Sequence, residues 1–239
     1  MIQLQNTLDQ RQKVVKLVAA TQGAGELIGK NAQEIVSYVT RVSAPLNQMN
    51  FETAPKLLKY CIEHGHWSPF EHAYLTLEII TSRAIAAQIL RHRSFTFQEF
   101  SQRYAKATKF VPAEARRQDL KNRQNSIDDL NSGDKEWFKR AQNEVIGLAT
   151  ELYRKALDKG IAKECARFLL PLNTETTLYM TGSVRSWLHY VQLREANGTQ
   201  KEHMDVALAC KEILANALPD IAEAMGWQNT QEHSTISVT

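Results

Sequence analysis

Three β-rich runs, far apart and embedded in helical sequence, constrain this chain more than any other feature. They span residues 13–21 (KVVKLVAAT), 73–81 (AYLTLEIIT) and 173–181 (NTETTLYMT), and each alternates or is β-branched over a strand's length. Helix-patterned stretches outnumber them and fill the intervals. Strands this few and this irregularly spaced do not build a doubly wound sheet. No Gly-rich dinucleotide loop and no Walker lysine motif is present. The expected class is α+β: a central mixed or antiparallel sheet flanked by helices, with a long helical segment in the C-terminal half. A nucleotide bound by such a chain has to be held by side chains, so arginine placement becomes the informative signal.

The intervening segments have clear punctuation. Residues 24–39 carry Leu27, Ile28, Ile35 and Val36 near helical spacing and read as one helix, followed by a loop over 41–50. Residues 53–65 place Thr53 at an N-cap, Pro55 in the first turn and Gly65 just past the end. A loop (HWSPFEH) precedes the second β-rich run, and Ser82 is placed to cap a helix over 83–92. Residues 111–134 are polar, broken by Gly133, and are expected as a solvated excursion or short surface helices. Residues 135–160 predict a long amphipathic helix whose apolar side carries Trp137, Val145, Leu148, Leu152 and Leu157. A short helix over 162–170 stops at Pro171, and helices over 183–196 and 201–218 follow, with Pro219 ending the last or starting a short successor.

With 239 residues, 43% hydrophobic and 23% charged, the chain suits a globular domain, taken as residues 1–226 with a polar tail over 227–239. No apolar run approaches a membrane span, and the N-terminus lacks the apolar stretch of a secretory leader, so a cytoplasmic location is expected. A net charge of +3 fits anionic small ligands and is too weak to argue for nucleic acid. Cys61, Cys165 and Cys210 are widely separated and odd in number, which predicts neither a disulfide framework nor a zinc site; each sits in a helix-like run and is expected to be buried.

Three clusters concentrate chemistry. The first is RHRSFTFQEFSQRY, residues 91–104, preceded by Gln88 three residues before Arg91 on the same helix face. Arg91, Arg93 and Arg103 can grip phosphate bidentately, and Gln88 offers a donor and an acceptor to a planar heterocycle. A surface ion-pair network with Phe95, Phe97 and Phe100 as core is the alternative reading. The second cluster is RFLL, holding Arg167, with SVRSWLHYVQLR. Arg185, His189 and Leu193 form one stripe of a helix, and Arg194 points roughly opposite to Arg185 at ~100° per residue. One helix then serves two ligands, or both arginines are solvated. The third is HGHWSPFEH, with His64, His66, Ser68, Glu71 and His72; its spacing is not that of a metal site, and an imidazole here can pack on a flat ligand.

Together, in this order, the clusters resemble the flavin-dependent thymidylate synthase family. Its signature is Arg-His-Arg, seven residues, then Ser, matched by Arg91-His92-Arg93 and Ser101, with trailing QRY, upstream Gln88 and the SPFEH loop. RVS at Arg41 to Ser43 and the RFLLPLN and LR elements also match, so the resemblance covers most of the chain. It implies an α+β homotetramer with active sites between subunits, making dTMP from dUMP with FAD, NADPH and methylene-tetrahydrofolate. It implies FAD contacts from Ser43, Ser68, Glu71, Arg91, His92, Arg93, Arg185, His189 and Leu193. It implies dUMP contacts from Gln88, Glu99, Phe100, Ser101, Arg103, Arg167 and Arg194, with Arg91 and Glu99 standing between the two ligands. His66 resembles the loop histidine near the flavin and folate rings. Catalysis is then expected from Arg194, Gln88 and His66, with dUMP activated electrostatically rather than by a cysteine, and with no metal, nucleic-acid or membrane partner. Ser101 has no neighbouring base in the sequence to make it a nucleophile. Ser183 and His189 depart from the asparagines of many members, which alters individual cofactor contacts. A nucleotide-binding module without turnover is the alternative class.

Overall fold

The computed structural model describes residues 14–227. Lys13, the first residue of the expected first strand, and the tail beyond Trp227 lie outside them. Four strands form one antiparallel sheet in the order β1 (Val15–Ala20), β2 (Tyr74–Ser82), β6 (Glu175–Ser183) and β3 (Thr96–Glu99). The two long central strands alternate as the sequence does. Leu75, Leu77 and Ile79 of β2 and Leu178 and Met180 of β6 are buried on one face. The opposite face carries the Thr76–Thr181 hydroxyl pair at 2.9 Å and the Lys16–Glu78 ion pair at 2.8 Å. One greasy and one polar face is the pattern of an antiparallel sheet packed on one side only.

Helices α1 (Ala32–Thr40), α2 (Ala54–Glu63), α3 (Arg83–Ile89), α6 (Val184–Arg194), α7 (Lys201–Ala217) and α8 (Pro219–Ala224) share a single hydrophobic cluster with the apolar face. Trp187, Tyr190, Phe70, Leu58 and Ile85 are among its fully buried side chains. Each such side chain stabilises the fold by about 1.5–3 kcal/mol. Ser82 and Ser183 close β2 and β6 and cap α3 and α6, accepting from the backbone N–H of Ile85 and Ser186. The two central strands therefore launch the two helices that carry Gln88 and Arg194.

Several expectations change. The helix over 24–39 is split: a 3-10 turn at Gly25–Leu27 gives way at Gly29 (φ +88°), and α1 starts afresh from a reciprocal Asn31–Glu34 capping box. Thr53 precedes α2, yet its hydroxyl accepts from Arg41 instead of capping. Residues 111–131 form no helix among the described elements; a two-residue hairpin, β4 (Arg117–Gln118) with β5 (Ser126–Ile127), is their regular structure. The long helix α4 (Ser132–Asp158) starts at an Asn131 cap and includes Gly133 in its first turn. Its expected apolar side is not buried: Trp137, Val145, Leu148 and Leu152 are exposed, and a small cluster of Tyr153, Ala156, Ala166, Leu157 and Leu170 joins it to α5 (Lys163–Ala166). Cys61 and Cys210 are buried as expected, but Cys165 on α5 is exposed.

Candidate functional site

The Arg91-His92-Arg93 turn stands on an aromatic pillar. α3 stops at Ile89, the chain turns, and Phe95 drops into the core, its ring edge-on to Trp187 at 4.8 Å and near Tyr190 at 5.9 Å. It lies against Gly182 of β6, where a β-carbon would fall 2.4 Å from the Phe95 ring, so this glycine is required by close approach. The Trp187 indole N–H donates to the Leu75 carbonyl at 3.1 Å and locks α6 to the sheet. Phe97 packs partly against the same core, whereas Phe100 lies outside that cluster and is exposed. Arg91 and Arg93 are exposed, and neither has an ion-pair partner among the described residues.

On top of the pillar, α6 ends at Arg194, whose Nε–H donates to His92 Nε2 at 2.9 Å. Nε2 must therefore be a lone pair. Burial, then the charges of Arg194, His189 and Arg91, lower the His92 pKa to about 4. A neutral imidazole thus fixes the guanidinium without cancelling its charge. Next to it, His203 of α7 is fully buried; it contacts Gln88 Oε1 through Nδ1 at 3.3 Å and the Tyr190 hydroxyl through Nε2 at 3.2 Å. Burial, then Arg194 and His92, push the His203 pKa down to about 3. Gln88 Nε2 also donates to Gln200 Oε1 at 2.6 Å. Gln88 and Arg194, from separate helices, are brought together through His92, Tyr190 and His203.

The other face of α6 lines a cleft of about 460 Å³ with Trp67, Glu71, Ser94, His189 and Gln192. Arg185 donates to Glu71 Oε1 across its mouth at 3.0 Å. Arg185 and Arg194 thus serve opposite sides of one helix, as their spacing predicted. Ser68 opens the 3-10 turn Ser68–Glu71 beside this cleft. Leu193 and His189 are exposed on α6. Ser183, by contrast, is buried and its hydroxyl is spent on capping α6. Ser43 lies on the exposed turn after α1, and no hydrogen bond joins it to the other candidates. His66 is exposed and edge-on to Tyr60 at 5.8 Å, while His64 stacks on that ring at 4.0 Å.

A third group sits at the far end of β3. Glu99 Oε1 accepts from Arg83 Nη1 at 2.8 Å and from the Thr176 hydroxyl at 2.9 Å, which fixes its carboxylate at the sheet edge. Among the described residues the Ser101 hydroxyl accepts the backbone N–H of Arg103, at 3.3 Å, and no base is hydrogen-bonded to it. Arg103 Nε donates to the Glu164 carboxylate at 2.9 Å, and Arg167 Nε donates to the Glu164 carbonyl at 3.2 Å. Two guanidiniums from distant segments are thereby gathered at one residue. Arg83, His203, Gln200 and Glu202 escaped the sequence reading, because each earns its place by a contact between elements. Among the described residues no three His, Cys, Asp or Glu side chains are grouped as a metal needs, and no helix is long and apolar enough to cross a membrane.

A family model described as "Thymidylate synthase complementing protein" matches residues 16–220. A probable flavin-dependent thymidylate synthase of Paramecium bursaria Chlorella virus 1 is 55% identical over 213 residues, covering 89% of this chain and 98% of that protein. A flavin-dependent thymidylate synthase of Synechocystis is 56% identical over 193 residues, covering 81% and 89%. Among solved structures, a UMP/dUMP methylase, PolB from Streptomyces cacaoi bound with 5-Br dUMP, superposes with a TM-score of 0.76 at 27% identity, over 89% of this chain and 93% of that one.

Proposed function

The chain belongs to the flavin-dependent thymidylate synthase family, and on that premise we propose that it methylates dUMP to dTMP, with methylene-tetrahydrofolate as carbon donor and NADPH as reductant. Bound FAD supplies the hydride. The chain's own share is to bind, orient and polarise. Arg194 faces the pyrimidine and stabilises negative charge that develops in the ring as C5 becomes nucleophilic. Gln88 orients the same ring through its amide. Arg103 and Arg167 take the phosphate, assisted by Ser101, and Glu99 and Phe100 border the nucleoside. Glu164, which gathers the two arginines, releases one of them to the anion.

Arg91, His92, Arg93, Ser43, Ser68, Glu71, Arg185, His189 and Leu193 hold the flavin cofactor, and His66 packs by its ring and the folate. The donor set suits FAD: Arg91 and Arg93, without ion-pair partners among the described residues, match a pyrophosphate, and the cleft beside Arg185 combines polar Glu71, His189 and Gln192 with apolar Trp67 and Leu188. A cleft of about 460 Å³ accepts only part of so large a dinucleotide. The remainder needs a second surface, which favours a site shared between subunits of a homotetramer. The exposed apolar stripe of α4 supports assembly.

The observation that carries this reading is the charged Arg194 held at 2.9 Å by a neutral His92, beside Gln88. The test is direct: record the absorbance spectrum of the purified protein with added FAD, then assay dTMP from dUMP with NADPH and methylene-tetrahydrofolate. A protein that takes up no flavin overturns the reading.

A further inference from the structure

We propose that the Glu202 carboxylate, held by Arg116, sets which way the Gln88 amide faces, and thereby makes the site select uracil over cytosine. This rests on the reading that Gln88 faces the pyrimidine of dUMP.

The hydrogen bonds form one unbroken relay. Arg116 reaches in from the 111–131 excursion with its side chain nine-tenths buried, donating through Nε to Ser126 and through Nη2 to Glu202 Oε1. Gln200 Nε2 donates to Glu202 Oε2 at 2.9 Å. Gln200 Oε1 accepts from Gln88 Nε2, and Gln88 Oε1 meets His203 Nδ1. His203 Nε2 meets the Tyr190 hydroxyl.

Polarity propagates along it. An ionised carboxylate can only accept. Burial raises the Glu202 pKa, but the hydrogen bonds from Arg116 and Gln200 outweigh burial and leave it below the usual value, so the group is ionised at neutral pH. Gln200 must then turn its NH₂ to Glu202 and its oxygen to Gln88. Gln88 must turn its NH₂ to Gln200 and its oxygen to His203. His203, neutral, carries its proton on Nδ1 and accepts from the Tyr190 hydroxyl, which burial keeps protonated. An amide's direction is decided by its partners, and here every partner traces back to one anion.

Specificity follows from what Gln88 has left. One amide hydrogen and one oxygen lone pair remain, at defined ends of the side chain. Uracil presents N3–H as donor beside a C4 carbonyl acceptor; cytosine presents N3 as acceptor beside an N4 donor. An amide pinned in one orientation pairs with the first edge and opposes the second. The same amide flipped does the reverse. The excursion therefore has a role in the site: it carries the cation that holds the anchor of the relay.

The experiment measures Kd for dUMP and for dCMP on the flavin-loaded protein by calorimetry. Wild type is expected to favour dUMP strongly and Gln88→Ala to lose the preference. Glu202→Gln, isosteric but able to donate, allows the relay to reverse, and the dUMP:dCMP preference is expected to fall by about tenfold or more. Gln200→Leu, which leaves the Arg116–Glu202 pair intact, gives a similar loss. The double variant Glu202→Gln/Gln200→Glu moves the obligate acceptor to position 200, directly beside Gln88, and restores the preference, a rescue that a merely structural role would not produce. An unchanged preference in Glu202→Gln, or no rescue in the double variant, overturns the relay. Retention of the preference in Gln88→Ala overturns the reading of Gln88 itself.

Discussion

Arg194 is a cation restrained by a neutral base, and that pairing separates orientation from charge neutralisation. A carboxylate in the place of His92 would hold the guanidinium equally well but would blunt its field. Arg194→Ala is expected to lower turnover by about 10²–10³-fold, the usual effect of removing one preorganised charge-stabilising donor, while the bound flavin's absorbance is retained. Steady-state dTMP formation and the flavin spectrum check both halves, and loss of all flavin would reassign the residue. The thiols test the electrostatic mechanism from the other side. Burial pushes the Cys61 and Cys210 thiols up, which leaves them protonated and inert. Cys165 is exposed and lies next to Glu164, which gathers the proposed phosphate-binding arginines. Cys165→Ser is expected to keep kcat within about twofold, the range of a surface change; abolished turnover would mean that a cysteine attacks the pyrimidine. The opposition of Arg185 and Arg194 was legible from helix periodicity alone, because both belong to one uninterrupted element. His203 was not, since its meeting with Gln88 spans 115 residues and leaves no local pattern.

At the scale of elements, β2 and β6 were legible because one face of each is buried and the other is not, which writes period two into the sequence. β3 was only half legible, as a loop or strand after α3, because four residues with just Phe97 turned toward the core are too few to write a clear period of two. The break at Gly29 was hidden for a different reason: the apolar spacing of Leu27 and Ile28 continues across it, while the capping box that restarts the helix lies further on. α4 shows the most instructive difference. Its amphipathic period was correct, yet among the described residues no element covers Trp137, Val145, Leu148 and Leu152. Apolar stripes at helical spacing are normally filled, so a second copy is the natural cover. Leu148→Glu/Leu152→Glu is expected to shift the protein to a smaller assembly in sedimentation velocity without changing its helical circular dichroism. An unchanged sedimentation coefficient would remove α4 from the interface.

For the whole molecule, two neutral histidines, buried His203 and half-buried His92, tie stability to pH. In the unfolded chain each takes up a proton near the ordinary value of 6.5, but folded His92 waits until about 4 and folded His203 until about 3. Across that interval the unfolded state binds more protons, so stability is full above about pH 6.5 and declines as pH falls toward 3. Thermal unfolding at a series of pH values should show this slope, and His203→Asn, which cannot titrate, should flatten it. An identical slope in the variant would place the acid sensitivity in the carboxylates.

The sheet order has a consequence for the order of events in folding. β2 and β6 make the longest pairing in the molecule, yet Thr76 and Thr181 are 105 residues apart in the chain. As the polypeptide emerges, β1 can join β2 early, but the other edge of β2 stays unpaired until α4, α5 and the excursion have all been made. Closing so long an interval costs entropy before any contact compensates it. Until β6 arrives, that edge of β2 presents a row of unpaired backbone N–H and C=O groups, the kind of edge to which another strand readily adds.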